Sequence, residues 1–489
     1  MKKLALIAGI ALFAFVLTSC PTDDPINCTG SGGPPSDQDN LPPRPADPPA
    51  HIGEAPSLGY IWADHFPLGN IVAYRHHRRH GDIAAVPGGP GVTETTAEQA
   101  RNRGHLLRRH FRIITAEDEM KPQFINVRNI PAGTPGNFNW TRVDNIVGFA
   151  EAHGMRVHGH ALAWHSQTPQ WIFAYGDRSR RDEAIANLVA HIEAVMRHFG
   201  DSVESWDVLN EVFQSWFGGA VTANNWRNFL RGNGEGTSGW FSAIGSDPDG
   251  YCFIWIAFTT ARRVADEIDT QAGRPVGTMI LYYNDYNEEA PSKRDAIYFM
   301  VREMNERFAA MYPGRRLIDA IGMQGHYHRT GSGGAYPWPT DINNVRASIE
   351  RFSRLGVYVS ITELDITVGH TGNPSGNNVN RPNNPPLSAA EARQQAIMYA
   401  QLFRIFQDNA QHLRRVSFWG IDDPGSWRHR GSPHLWDGGL RPKEAFWAVA
   451  DPDAFLLPNG QPRPAAEIDA FLADPRADGS GFIPASAWN

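Results

Sequence analysis

The chain has 489 residues, of which 41% are hydrophobic and 20% charged, enough apolar material for a large buried core. Lys plus Arg (45) against Asp plus Glu (52) gives a net charge of −7, which argues against a nonspecific nucleic-acid binder. A mean hydropathy of −0.41 excludes a polytopic membrane protein, and three cysteines are too few for a disulfide framework.

Lys2 and Lys3 precede an apolar run, Leu4 to Leu17. As a helix that run is about 21 Å long, short of the ~30 Å hydrocarbon core, so it reads as an export signal rather than a span. It ends in Leu17-Thr18-Ser19-Cys20, which resembles a bacterial lipobox. The resemblance implies a signal peptide over 1–19, a lipid on Cys20, and an extracytoplasmic protein held to a bacterial membrane (outer membrane or cell surface) by that lipid alone. Residues 20–55 are rich in Pro, Asp and Gly and lack apolar periodicity, as expected of a tether. Cys28 lies in it and Cys252 in the body, and their pairing is left open.

From about residue 60, short runs rich in β-branched and aromatic residues alternate with amphipathic stretches. The expected strands are 69–73, 111–115, 156–164, 204–210, 278–283, 317–323, 357–362 and 415–420. The expected helices are 143–153, 182–199, 254–268, 292–311, 345–355 and 389–407, with a closing helix at 464–473. Eight strands with interleaved helices indicate a single α/β domain, a (β/α)8 TIM barrel over 56–480, with a loose tail at 481–489. The segments 214–250 and 367–387 are enlarged loops after the fourth and seventh strands, on the barrel face where active sites form.

Polar residues collect at the strand ends. The second carries Glu117, Asp118 and Lys121; the third His160, Trp164 and His165; the fourth Asn210 and Glu211. The fifth carries Asn284 and Asp285, the sixth Gln324 and His326, the seventh Glu363 and Asp365, and the eighth Trp419, Asp423 and Trp427. Glu211 and Glu363 stand out as a pair. Glycoside hydrolysis uses two carboxylates, a proton donor with a raised pKa and an ionised partner. Glu363 and Asp365 are i, i+2 on a strand and share a face, so His326 between them can couple their charges. The tryptophans offer ring faces to a sugar, although any one of them taken alone fits a barrel core equally well.

The strings GHALAWHSQTPQW (159–171), WDVLNE (206–211), YNDYN (283–287), GMQGH (322–326), ITELD (361–365) and FWGIDDPGSW (418–427) resemble glycoside hydrolase family 10, the retaining endo-β-1,4-xylanases, in order and spacing. The resemblance runs from about 60 to 450. It implies Glu211 as acid/base, Glu363 as nucleophile, Asn210 on the sugar 2-hydroxyl, and His326 with Asp365 as a relay tuning Glu363. Glu117, Asp118, Lys121, His160, Trp164, Gln324, Trp419 and Trp427 would then bind substrate on the glycone side. Two residues depart from the pattern: Asp118 stands where the family usually has Asn, and Gly425 where it often has an aromatic. Asp118 is expected to add a second negative charge beside Glu117.

A xylan or xylo-oligosaccharide substrate, no cofactor, no metal, no nucleic-acid partner and a monomer are expected. Other readings compatible with the residues are the same mechanism on another β-1,4-glycan and a non-catalytic glycan-binding lipoprotein. A metal-dependent barrel hydrolase using His158 with His160, or His326 with His328, lacks an organised third ligand.

Overall fold

Every strand expected from the sequence has a counterpart in the computed structural model, and all of them run parallel. The structure describes residues 55–73, 103–126, 138–233, 236–245, 252–329, 340–368 and 387–475. The export signal, Cys20, Cys28, the tether up to residue 54, nearly all of the 367–387 loop and the 481–489 tail lie outside the described residues.

The strands are β1 (Leu68–Val72), β2 (Ile113–Ala116), β3 (Arg156–Gly159), β4 (Ala163–Trp164), β5 (Ser205–Asn210), β6 (Ile280–Asp285), β7 (Ala320–Met323), β8 (His326–His328), β9 (Tyr358–Thr367) and β10 (Leu413–Phe418). Pairing runs β1-β2-β3-β5-β6-β7-β9-β10, and β10 pairs back onto β1 through Leu68↔Val416 and Asn70↔Phe418. The sheet therefore closes on itself as an eight-position parallel barrel. β1, β2, β5, β6 and β7 are buried at every residue, because packed helices cover the outside while side chains fill the inside.

Two positions in the barrel are broken strands. The expected third strand, 156–164, stops at Gly159, passes a cis peptide at His160–Ala161, and resumes as β4 beside the upper half of β5 (Ala163↔Leu209, Trp164↔Asn210). The sixth position likewise divides into β7 and β8, with β8 pairing the far end of β9 (His326↔Asp365). Both breaks fall at the C-terminal rim, where leaving the barrel wall turns side chains towards its mouth.

Among the described residues, the α-helices of seven residues or more are α1 (Thr141–Ala152), α2 (Arg181–Phe199), α3 (Cys252–Gln271), α4 (Pro291–Met311), α5 (Ile342–Ser353), α6 (Ala389–Asp408), α7 (Glu444–Ala450) and α8 (Ala465–Ala473). Each lies within a few residues of the expected span, apart from α7, which the sequence reading left out. Local signals account for the starts: Pro291 opens α4, and Ser388 with Glu391 forms a reciprocal capping box on α6. Among the described residues no helix is long and apolar enough to cross a membrane.

Candidate active site

β5 ends at Asn210, and the next residue, Glu211, turns out of the barrel wall with a left-handed backbone, φ 56. Its carboxylate accepts from Trp164 Nε1 (2.9 Å to Oε2) and from Gln324 Nε2 (3.0 Å to Oε1). Burial pushes the Glu211 carboxyl up, but His165, Gln324, Arg231 and Trp164 together outweigh it and hold the group below the ordinary carboxylate value. His165 Nδ1 is 3.9 Å from Oε2, and burial lowers the pKa of that imidazole to about 4. Its positive charge thus helps Glu211 only in acid, and near neutrality Arg231 is the permanent cation of this set. The expected proton donor with a raised pKa is thus not what these partners produce: their balance lies the other way.

Glu363, on β9, is 4% exposed. Asn284 Nδ2, at the end of β6, donates to its Oε1 at 2.7 Å, and His326 Nε2 meets its Oε2 at 3.0 Å. His326 Nδ1 lies 2.9 Å from Asp365 Oδ2, so each ring nitrogen faces a carboxylate. Burial alone would lower the imidazole; Asp365 and Glu363 overcome it and raise its pKa to about 9. His326 is therefore an imidazolium at neutral pH and donates from both nitrogens. Arg428 forms a buried ion pair with Asp365, whose carboxyl is held well below the usual range by Arg428 and His326 against the cost of burial. Charges of alternating sign run Glu363, His326, Asp365, Arg428.

Three amides connect the two glutamates. Gln324 Nε2 donates to Glu211 and, at 3.2 Å, to Asn210 Oδ1; Asn284 Nδ2 donates to Glu363 and, at 3.1 Å, to the same Asn210 oxygen. With its oxygen doubly occupied, Asn210 has its own NH2 left to offer to a ligand.

The cleft also carries Lys121, whose ammonium bonds Asp118 Oδ1 (3.0 Å) and Gln167 Oε1 (2.8 Å) and lies 5.1 Å from the centre of the Trp164 ring. Asp118 therefore has a positive partner and does not stand as an uncompensated charge beside Glu117. His160 Nδ1 bonds Asp207 Oδ2 at 2.8 Å and His158 Nε2 lies 3.0 Å from the same oxygen, so this histidine pair faces a carboxylate. The His160 and Trp419 rings meet edge-on at 5.2 Å, and those of His326 and Trp427 at 5.1 Å.

One cleft of about 660 Å³ is lined by Glu117, Asp118, Lys121, His160, Trp164, Asn210, Glu211, Gln324, His326, Glu363, Trp419 and Trp427. Of the residues given a catalytic or substrate-binding role from the sequence, Asp365 alone is not part of the lining and is fully buried; the strand-end residues Asn284, Asp285 and Asp423 do not line it either. The sequence profile of glycosyl hydrolase family 10 matches residues 85–452, most of the chain. The chain belongs to glycosyl hydrolase family 10. It is 30% identical over 403 residues to a beta-1,4-xylanase of Dictyoglomus thermophilum, covering 81% of this chain and 91% of that one. It is 32% identical over 373 residues to endo-1,4-beta-xylanase A of Halalkalibacterium halodurans, with 71% and 80% covered. The crystal structure of the intracellular xylanase of Thermoanaerobacterium saccharolyticum, a mutant bound to xylotriose, superposes with a TM-score of 0.58 at 29% identity, covering 81% and 98%.

Family membership makes this chain a glycoside hydrolase. Several residues that shape its cleft escaped the sequence reading. Asn284 stands among the strand-end residues but was assigned no role, and an amide between two acidic motifs is its signal. Arg428 directly follows Trp427. Gln167 lies within the GHALAWHSQTPQW string, whereas Arg231 sits in the Gly- and Asn-rich loop after β5, where nothing local marks it.

Proposed function

We propose that the enzyme is a retaining endo-β-1,4-xylanase in which Glu363 attacks the anomeric carbon and Glu211 is the acid/base. The observation that carries this reading is the placement of two carboxylates in one cleft, each with its own set of N–H donors, Trp164 and Gln324 on Glu211, Asn284 and His326 on Glu363. Glu211 gives its proton to the glycosidic oxygen as the bond to the anomeric carbon breaks and Glu363 forms a covalent xylosyl ester. Water, deprotonated by Glu211, then attacks the same carbon and releases Glu363, with configuration retained.

The low proton affinity of Glu211 in the open cleft fits the second half of this cycle. A xylan chain displaces water and adds to the burial cost of the charged form, which favours the protonated acid. Esterification then removes the negative charge of Glu363, which favours ionised Glu211, the form that serves as base. The two donors on Glu363 orient its carboxylate for attack.

The test is reducing-sugar release from soluble xylan by the 56–489 domain, beside Glu363→Ala and with a mixed-linkage glucan control. Xylo-oligosaccharides from wild type, none from Glu363→Ala, and a first-formed β-anomer by NMR are expected. Release from glucan alone would transfer the same mechanism to another β-glycan. Xylan binding without release would replace the enzyme by a glycan-binding lipoprotein, and a first-formed α-anomer would mean inversion.

A further inference from the structure

The backbone around Glu211 is held as firmly as its carboxylate. A non-glycine residue in the left-handed region is uncommon and strained, so it persists only where neighbours fix it. Here all four flanking peptide groups are tied down. Glu211 N–H donates to Asn284 O (2.9 Å), and Arg231 Nε donates to Glu211 O (3.3 Å). Val212 N–H donates to the Tyr283 hydroxyl (3.3 Å), and Arg231 N–H donates to Val212 O (2.8 Å). One residue, Arg231, thus holds two of the four groups, one with its guanidinium and one with its backbone.

Arg231 comes from the loop after β5 and is itself buried, 8% exposed, in the wall of the cleft. Its Nη2 donates to the Tyr286 hydroxyl at 2.9 Å, and Tyr286 contacts Ser215 Oγ. Among the described residues no carboxylate side chain pairs with it; the acidic groups acting on it include Tyr286, Glu211 and Asp285. The remaining titratable groups facing Glu211 are His165 from the segment after β4, and Tyr283, Asp285 and Tyr286 at the end of β6. Asp285 is in turn paired with Lys293 of α4 at 2.7 Å. Lys293 is therefore answered locally, and His165 carries its charge only in acid, which leaves Arg231 as the permanent cation beside Glu211.

We infer that Arg231 is the positioning residue of the acid/base, fixing the left-handed elbow at Glu211 and, through its charge, setting the pH at which Glu211 releases its proton. This rests on Glu211 being the acid/base. It also gives the enlarged loop after β5 a task, that of delivering a guanidinium to the back of the catalytic elbow.

The experiment separates charge from geometry. Wild type, Arg231→Gln and Arg231→Lys are compared on xylotetraose, whose leaving group needs an acid, and on 2,4-dinitrophenyl xylobioside, whose leaving group does not. The ratio of the two kcat/KM values against pH isolates the ionisation of Glu211, because Glu363 and His326 act on both substrates alike. Arg231→Gln keeps a donor for Glu211 O but removes the charge. Its ratio should fall at a pH about 1 unit higher than in wild type, by the reach of a charge at short range. Arg231→Lys should keep the wild-type midpoint while losing roughly tenfold in kcat on xylotetraose, as expected of a displaced acid.

A midpoint unmoved in Arg231→Gln, or moved equally in Arg231→Gln and Arg231→Lys, would overturn the inference, as would an equal loss on both substrates in both variants. The underlying reading fails differently: wild type would show no fall in the ratio at all, meaning that Glu211 is not the acid.

Discussion

Lys121 and Asp118 are bound to each other in the cleft wall, Nζ to Oδ1 at 3.0 Å, with Gln167 Nε2 donating to the same carboxylate oxygen at 3.0 Å. The carboxylate that looked from sequence like a surplus charge is half of an ion pair, three residues from its partner. The pair has a consequence for sugar binding. One of the three Lys121 donors points at Asp118, another at Gln167, and the ammonium's charge is largely answered before a substrate arrives.

Asp118→Asn should therefore strengthen the glycone side. The amide keeps an acceptor for Lys121, adds an N–H2 pair, and removes one negative charge beside the ammonium. KM for xylo-oligosaccharides should fall about 2–5-fold with kcat unchanged, in line with ~0.5–1 kcal/mol for one partly exposed pair. Steady-state kinetics on xylotetraose reads this directly, and a raised KM would show the ion pair itself to be the better wall for the sugar.

Asn284 is held in place by the absence of a side chain. A Cβ on Gly322 of β7 would stand 2.3 Å from Asn284 Oδ1 and 2.9 Å from Thr362 Cγ2. Asn284 Oδ1 accepts from Thr362 Oγ1 at 2.6 Å, which orients its NH2 towards Glu363 and Asn210. Gly322→Ala should push the amide off Glu363, lowering kcat by about 10–100-fold and stability by roughly 1–3 kcal/mol through overpacking. Asn284→Ala, which opens space instead, should share the loss of kcat. Trapping of the xylosyl-enzyme with a slow 2-fluoro substrate, followed by mass spectrometry, would show slower accumulation in both. Normal accumulation in Asn284→Ala would remove Asn284 from the machinery.

These residues also mark where sequence reading stops. Strand order, helix spans and the convergence of seven polar strand ends follow from periodicity and from the parallel barrel, in which consecutive strands are neighbours. The i, i+2 spacing of Glu363 and Asp365 already places them on one face, and the structure has His326 bonding both. Direction within an amide network has no such signature. That Asn210 turns its oxygen to two donors, or that Arg231 reaches back 20 residues to the carbonyl of Glu211, depends on three-dimensional packing of a loop. The same holds for the breaks after Gly159 and Met323, where chain direction at the rim, rather than propensity, decides where a strand ends. The sign of the Glu211 shift was equally hidden, because burial and four partners compete and only their sum matters.

His326 ties pH to stability. Its folded pKa, about 9, lies above the ordinary histidine value of about 6.5, because Asp365 and Glu363 hold its proton in spite of burial. A raised pKa means that the folded state binds the proton more tightly. The stabilisation is complete below about pH 6.5 and is lost as pH climbs through about 9. The shift corresponds to roughly 3 kcal/mol at most. Asp365, held low, titrates far below this window and contributes a constant. Urea melts of wild type should thus lose stability between pH 6.5 and 9.5, whereas His326→Gln should start lower and fall less over the same range, its remaining slope coming from Glu288 and Glu289, whose carboxyls burial raises well above the ordinary value. The two curves should approach each other at the alkaline end. A constant gap between them would mean that His326 stabilises by packing against Trp427 and Trp419, and not through its proton.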